Sequence, residues 1–197
     1  METSANYKFY NRGQFASAGY DETEEVLAEY GHGNWKIATM AETLQFSPIA
    51  ENAFFWTSTK NIFTSKGIIV YDDPERKMPS NEKELMKLHK SGDPAVRFVK
   101  HGFEKGKMSV AELVKNPLVI AQMGNKDLMD IVAQRARGIS PECAYVMSDY
   151  LEGNLKEPVR LSAVDSWGVC GQFLHIYYDV GRDMHGAING YMRKVEN

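Results

Sequence analysis

The chain has 197 residues, 43% of them hydrophobic and 11% aromatic, enough for one large domain or two small ones and unlike a disordered segment. Its 23 basic and 26 acidic residues leave a net charge of −3 and form no block or stripe, which argues against nucleic acid as a partner. The longest apolar runs, such as "PLVIAQM", are too short to cross a bilayer, so no membrane contact is expected. The amino terminus shows no charged region followed by an apolar one, and Cys143 and Cys170 are the only cysteines. Free buried thiols and folding in the cytosol are therefore expected.

In chain order, "YKFYNRGQF" (7–15) has the aromatic enrichment of a strand broken at Asn11-Arg12-Gly13. Asp21 precedes "ETEEVLAEYG", whose acidic first turn and terminal Gly31 mark a short helix. Thr39, with Glu42 three residues on, opens a second helix, "MAETLQF", which Pro48 ends. "GIIVYDD" (67–73) is the clearest strand, and Ser80 is placed to cap "NEKELMKLHKSG". "AVRFVKHGF" alternates as a strand with one wet face should. Ser109 and Glu112 form a capping box opening "VAELVKNPLVIAQMG", which Pro117 must kink or split. Asn125 caps "KDLMDIVAQRARG", and Ser140-Pro141-Glu142 is read as opening another helix that ends at Gly153. "EPVRLSAV", "GQFLHIYYDV" and "AINGYMRKV" read as strands joined by Gly-rich turns. Strands and short helices, then a helical block, then strands again point to an α+β protein. The boundary falls near residue 103, with residues 1–103 as one module and 104–197 as a helical block and β segment packing on it.

The segment from Ala50 to Asp73 sets three aromatics, Phe54, Phe55 and Trp56, directly against Thr57-Ser58-Thr59. Together with two other segments it resembles a lectin-like domain family of bacterial and phage proteins, related to C-type lectins and formylglycine-generating enzymes. "GNWKIAT" (33–39) looks like that family's "WRLPT" element, "FFWTST" (54–59) like its "YWSST", and "AVRFVK" (95–100) like its closing "VRCVR" strand. Ile37-Ala38 replaces Leu-Pro, and Phe98 stands where a cysteine is common. The resemblance covers about residues 7–103. The block after Phe103 is either outside the pattern or an insertion before a true closing strand at "GYMRKV".

The resemblance implies a C-type-lectin-like module whose core is anchored by Trp35, Trp56 and Phe98, with the hydroxyls of Thr57 and Thr59 bonding backbone that a short sheet leaves unpaired. Burying one indole removes on the order of 200 Å² from water. It also implies variable loops on a rigid scaffold, suited to binding a protein or glycan without catalysis. Cytosolic folding and a recognition domain are reconciled if the protein is built into a larger particle, such as a virion, or assembles as a homo-oligomer.

Three chemical readings stand beside that one. Asp72, Asp73 and Glu75 put three carboxylates at a strand end, a donor set for a hard divalent cation, or simply a solvated acidic turn. The same aspartates after "GIIVY" look like the metal-binding strand end of a nucleotide-sugar glycosyltransferase. Arg12, Ser58 and Glu84 occur in the order of the arginine, Ser-Thr-Ser and Glu-x-Glu elements of ADP-ribosyltransferases. That resemblance implies NAD held by Arg12 and Ser58, with Glu84 stabilising an oxocarbenium ion. Glu82 and Glu84 also suit the first turn of a helix for dipole reasons alone.

Cys170, His175 and His185 invite a thiol-catalysis reading, but strand alternation around His175 favours a buried cysteine and a half-buried histidine. The histidines lack zinc-ligand spacing. Asp165-Ser166-Trp167-Gly168 is read as a tight turn, and alternation should expose one of Tyr177 and Tyr178.

Overall fold

The computed structural model describes residues 7–11, 17–18, 25, 35–46, 54–73, 75–140, 143–148, 159–165, 173–180, 186–187 and 189–194. The first strands are β1 (Tyr7–Asn11), β2 (Ser17–Ala18), β3 (Trp35–Ile37), β4 (Phe54–Phe63), β5 (Gly67–Tyr71) and β6 (Val96–Lys100). They are followed by β7 (Gly106–Ser109), β8 (Cys143–Ser148), β9 (Val159–Asp165), β10 (Leu174–Val180), β11 (Gly186–Ala187) and β12 (Asn189–Lys194). The helices are α1 (Met40–Phe46), α2 (Glu82–Lys90), α3 (Val110–Leu113), α4 (Pro117–Met123) and α5 (Met129–Ile139), the last entered through a 3-10 turn at Lys126–Leu128.

Local chemistry explains the helix boundaries. Thr39 and Glu42 close a box at the start of α1, with Glu42 N–H donating to Thr39 Oγ1 at 3.2 Å and Thr39 N–H to Glu42 Oε2 at 2.8 Å. The cap of α2 is Asn81, one residue beyond the serine that the sequence suggested, because its side chain reaches the Glu84 N–H at 2.9 Å. The helical run from Val110 does split at Pro117. Ser109 and Glu112 box α3, and a fresh cap from Asn116 starts α4 with proline in its first turn. Glu25 is helical; the rest of the helix expected at 22–30 lies outside the described residues.

The sheet is organised by β4. Ten of the described strands follow the order β1-β12-β4-β9-β10-β8-β7, with β3 added to β12, β5 to β4 and β6 to β5. The front and rear strands lie side by side: β1 runs antiparallel to β12, pairing Phe9 with Tyr191. β9 lies between β4 and β10, so the sheet passes straight through the boundary drawn at residue 103. Strands from both halves interleave, and "GYMRKV" supplies the strand beside β1.

β5 shows how sequence and burial agree. All five residues of "GIIVY" are buried. Ile68 and Val70 enter the main core with Met40, Leu44, Leu118, Val132, Ile176 and Tyr178. Ile69 and Tyr71 face a smaller cluster with Ile62, Leu85 and Val96 beneath α2. A strand covered by helices on both faces needs a continuous apolar run. Gly67 starts it because a Cβ there would lie 2.1 Å from the Val99 carbonyl oxygen.

One expectation is overturned. The segment after Ser140 is not helical where it is described: Cys143–Ser148 is strand β8, antiparallel to β7 and parallel to β10. Ala144 and Val146 alternate into the main core. Pairing on both edges outweighs the local helix-start signal. Pro141 and Glu142 lie outside the described residues.

Candidate functional site

Between Trp56 and Lys60 the pairing of β4 with β9 shifts register, and Thr57-Ser58-Thr59 fills that irregularity. Thr57 Oγ1 donates to the Ser162 carbonyl at 2.9 Å, and the Ser58 N–H donates to the Ala38 carbonyl at 2.9 Å. Thr59 Oγ1 accepts from the Met40 N–H at 2.9 Å and donates to Asp72 Oδ1 at 2.8 Å. Nearby, Ser162 Oγ accepts from Asn61 Nδ2 and Gln122 Nε2 at 2.7 and 2.8 Å. Phe55 and Trp56 are fully buried beside this run. The Thr57 hydroxyl thus satisfies a β9 carbonyl at the irregularity, and the Thr59 hydroxyl satisfies the first N–H of α1. The side chain of Trp35 lies outside the described residues, although its backbone pairs with Lys194 in β12.

The chain of polar contacts continues through Asp72. Its side chain is only 7% exposed, and Arg97 Nη1 donates to its Oδ2 at 3.2 Å. Burial pushes the Asp72 carboxyl above its ordinary range, while Arg97 and Thr59 pull it back. The same Arg97 nitrogen donates to the Ala121 carbonyl at 2.9 Å, in the last turn of α4. Gly124 ends that helix at φ 75°, and a Cβ on it would lie 2.5 Å from the guanidinium. Glycine is therefore needed twice over, for the left-handed cap and for the arginine lying across it. A second arginine does a similar job elsewhere: Arg135 of α5 donates to the carbonyls of Leu44 and Gln45 at the end of α1, both at 2.9 Å.

Among the described residues, Asp72, Asp73 and Glu75 do not gather into one donor set. Asp73 turns its carboxylate onto its own loop, accepting from the Glu75 and Arg76 N–H groups at 3.0 Å and pairing with Arg76 Nε at 3.3 Å. Asp72 points to Thr59 and Arg97, and Glu75 is exposed. Among the described residues no three His, Cys, Asp or Glu side chains are gathered in a way that would hold a metal ion. Arg12 lies outside the described residues. Ser58 is half-buried on β4, Glu84 is exposed in the first turn of α2, and no hydrogen bond joins them.

Cys170 and His185 lie outside the described residues, and Cys143 is a buried free thiol. His175 is fully rather than half buried. Its ring touches those of Tyr145, Phe173 and Tyr177, and neither ring nitrogen has a hydrogen-bond partner. Burial lowers its pKa to about 4, so the ring is neutral at pH 7. Tyr178 points the other way, into the main core against Phe63 and Phe103, and Tyr177 stays half-buried.

A groove of about 810 Å³ runs beside β6. Arg97, Phe98, Val99 and Lys100 line it from the strand, His89 from α2, and Pro117, Ile120, Ala121 and Gly124 from α4 and its cap. Phe103 and Asn116 close one end, where Asn116 Nδ2 donates to the Glu104 carbonyl at 2.8 Å. The size falls within the range of about 300–1,000 Å³ usual for ligand sites. Sequence reading marked Phe98 but missed this groove. The available signal was Arg97, a cation at a position whose neighbour two residues on, Val99, faces the core.

No family model matches the chain, and no curated protein matches it. A solved structure described as "Accommodation of massive sequence variation in Nanoarchaeota by the C-type lectin fold" is similar over 98% of this chain and 99% of that one, with a TM-score of 0.57 and 12% sequence identity. The architecture is therefore the C-type lectin fold, and the likeness runs over the whole length rather than stopping near residue 103. Among the described residues no helix is long and apolar enough to cross a membrane.

Proposed function

We propose that this protein is a non-enzymatic binding module that engages a protein or glycan partner through the groove beside β6. The observation that carries this reading is the groove itself, a concave surface with apolar walls at Phe98 and Ile120 and with Lys100 and Lys115 at its rim. Thr57, Thr59 and Asp72, from the hydroxyl run and the acidic strand end that suggested catalysis, are instead held in contacts joining β4, β5, β6, β9, α1 and α4. A lectin-fold scaffold that fixes one surface while its neighbours vary suits recognition. The incorporation into a larger particle expected from the sequence belongs to the same reading, and imaging of native assemblies checks it.

Probing glycan and peptide arrays with the wild-type chain and with Ile120→Arg, which fills the groove with a charged side chain, tests the proposal. Ligands retained by wild type and lost by the variant, at unchanged thermal stability, are the expected result. Turnover of NAD that disappears in Glu84→Gln would overturn it, as would array binding that ignores the substitution.

A further inference from the structure

The groove lies along a strand edge with open hydrogen-bonding groups. Among the described strands β6 pairs only with β5, antiparallel, in the register Ile68↔Val99, Val70↔Arg97 and Tyr71↔Val96. One step beyond that ladder the Asp72 N–H donates to the Ala95 carbonyl at 2.9 Å. In an antiparallel ladder the residues that exchange bonds alternate. Arg97 and Val99 therefore turn their backbone groups to β5, as Ala95 turns its carbonyl (its N–H donates to Asp93 Oδ1 at 3.0 Å), while Val96, Phe98 and Lys100 turn theirs outward. Val96 is satisfied locally, its N–H donating to the Asp93 carbonyl at 3.1 Å and its carbonyl lying 3.3 Å from His89 Nδ1. No described group pairs with the backbone N–H or C=O of Phe98 or Lys100.

This edge lies between α2 and α4, and both helices contribute to the groove walls. Exposed edges are ordinarily blunted, because unpaired backbone groups recruit other strands. Here the flanking helices do that blunting. A folded second copy would have to bring its own α2 and α4 against these before its β6 came within the roughly 4.8 Å strand spacing. A single extended chain meets no such obstacle. Alternate side chains of such a chain would meet different walls, one row facing His89 and Phe98, the other Ile120 and Pro117.

Arg97 is held by Asp72, and the Glu112 carboxylate accepts from both Ser109 N–H and Oγ at 2.7 Å. The lining charges left at the rim, Lys100 and Lys115 against Glu104 and Glu112, balance, so backbone pairing rather than net charge selects the occupant.

We infer that the groove is a strand-addition site: an extended peptide segment of a partner protein pairs with the outward backbone groups of Phe98 and Lys100. This rests on the groove being the binding surface, and it adds the mode and the class of partner.

A displayed library of random heptapeptides, panned on the full chain, is the test. Lys100→Pro removes one outward N–H without breaking any internal bond, and proline is tolerated at such edge positions. Lys100→Ala keeps the N–H and removes the charge. Enriched clones should be rich in β-branched residues. They should bind Lys100→Pro roughly tenfold more weakly than wild type and Lys100→Ala about as well as wild type. Clones that bind Lys100→Pro as well as wild type, or a library that yields no enriched clone, overturn the inference. A concentration-dependent dimer abolished by Lys100→Pro also overturns it, in favour of a second copy. Array binding of glycans sensitive to Ile120→Arg, without any peptide clone, would sink strand addition while leaving the binding-module reading intact.

Discussion

Two buried polar side chains on different strands meet the same problem in opposite ways. Asp72, at the end of β5, is surrounded by partners: Thr59, Arg97 and, through Arg97, the α4 carbonyl of Ala121. His175, in β10, has aromatic neighbours and no partner on either ring nitrogen. The first region keeps a charge buried by building contacts around it, and those contacts tie α1, β4, β5, β6 and α4 together beside the groove. The second accommodates a titratable ring by holding it neutral. Partnered polar groups position a surface, whereas an unpartnered one behaves as packing.

Breaking the partnered region should have the larger effect. Arg97→Met leaves the Asp72 carboxylate buried without its cation, and a loss of about 3 kcal/mol is expected at pH 7 from urea denaturation. That deficit should shrink as pH falls, because the carboxyl, already raised by burial, can then take a proton. The double variant Arg97→Met/Asp72→Leu should recover part of it. A single variant as stable as wild type would remove Arg97 from the structural account.

The unpartnered region predicts a smaller effect with the opposite pH character. The folded-state pKa of His175, about 4, lies below its ordinary 6.5. The unfolded chain therefore binds the proton more readily, and stability is lost as pH drops from about 6.5 toward 4, by roughly 1–3 kcal/mol. His175→Phe should change stability by less than about 1 kcal/mol at pH 7 and flatten the pH dependence in that window. An unaltered slope would mean that another group titrates there.

The sequence made much of this legible where one residue type has one physical use. The run "GIIVY", the split at Pro117 and the boxes at Thr39 and Ser109 are local signals, and the folded chain contains each. The lectin-like resemblance led to the right fold from the first half of the chain, although the fold takes in both halves. β8 was illegible because Ser140-Pro141-Glu142 is a good helix start and only pairing with β7 and β10 decides otherwise. The groove was illegible for a related reason. His89, Lys100 and Ile120 are spread over three elements, and no spacing along the chain announces that their faces meet.

The central claim is that β6 presents an open edge in a groove built to receive a partner. Amide hydrogen exchange resolved at single residues tests it most directly. The account predicts strong protection at Arg97 and Val99, whose N–H groups face β5, and fast exchange at Phe98 and Lys100 in the free protein, slowed when a groove ligand is added. Equal protection at all four positions in the free protein would contradict it, since the edge would then already be filled.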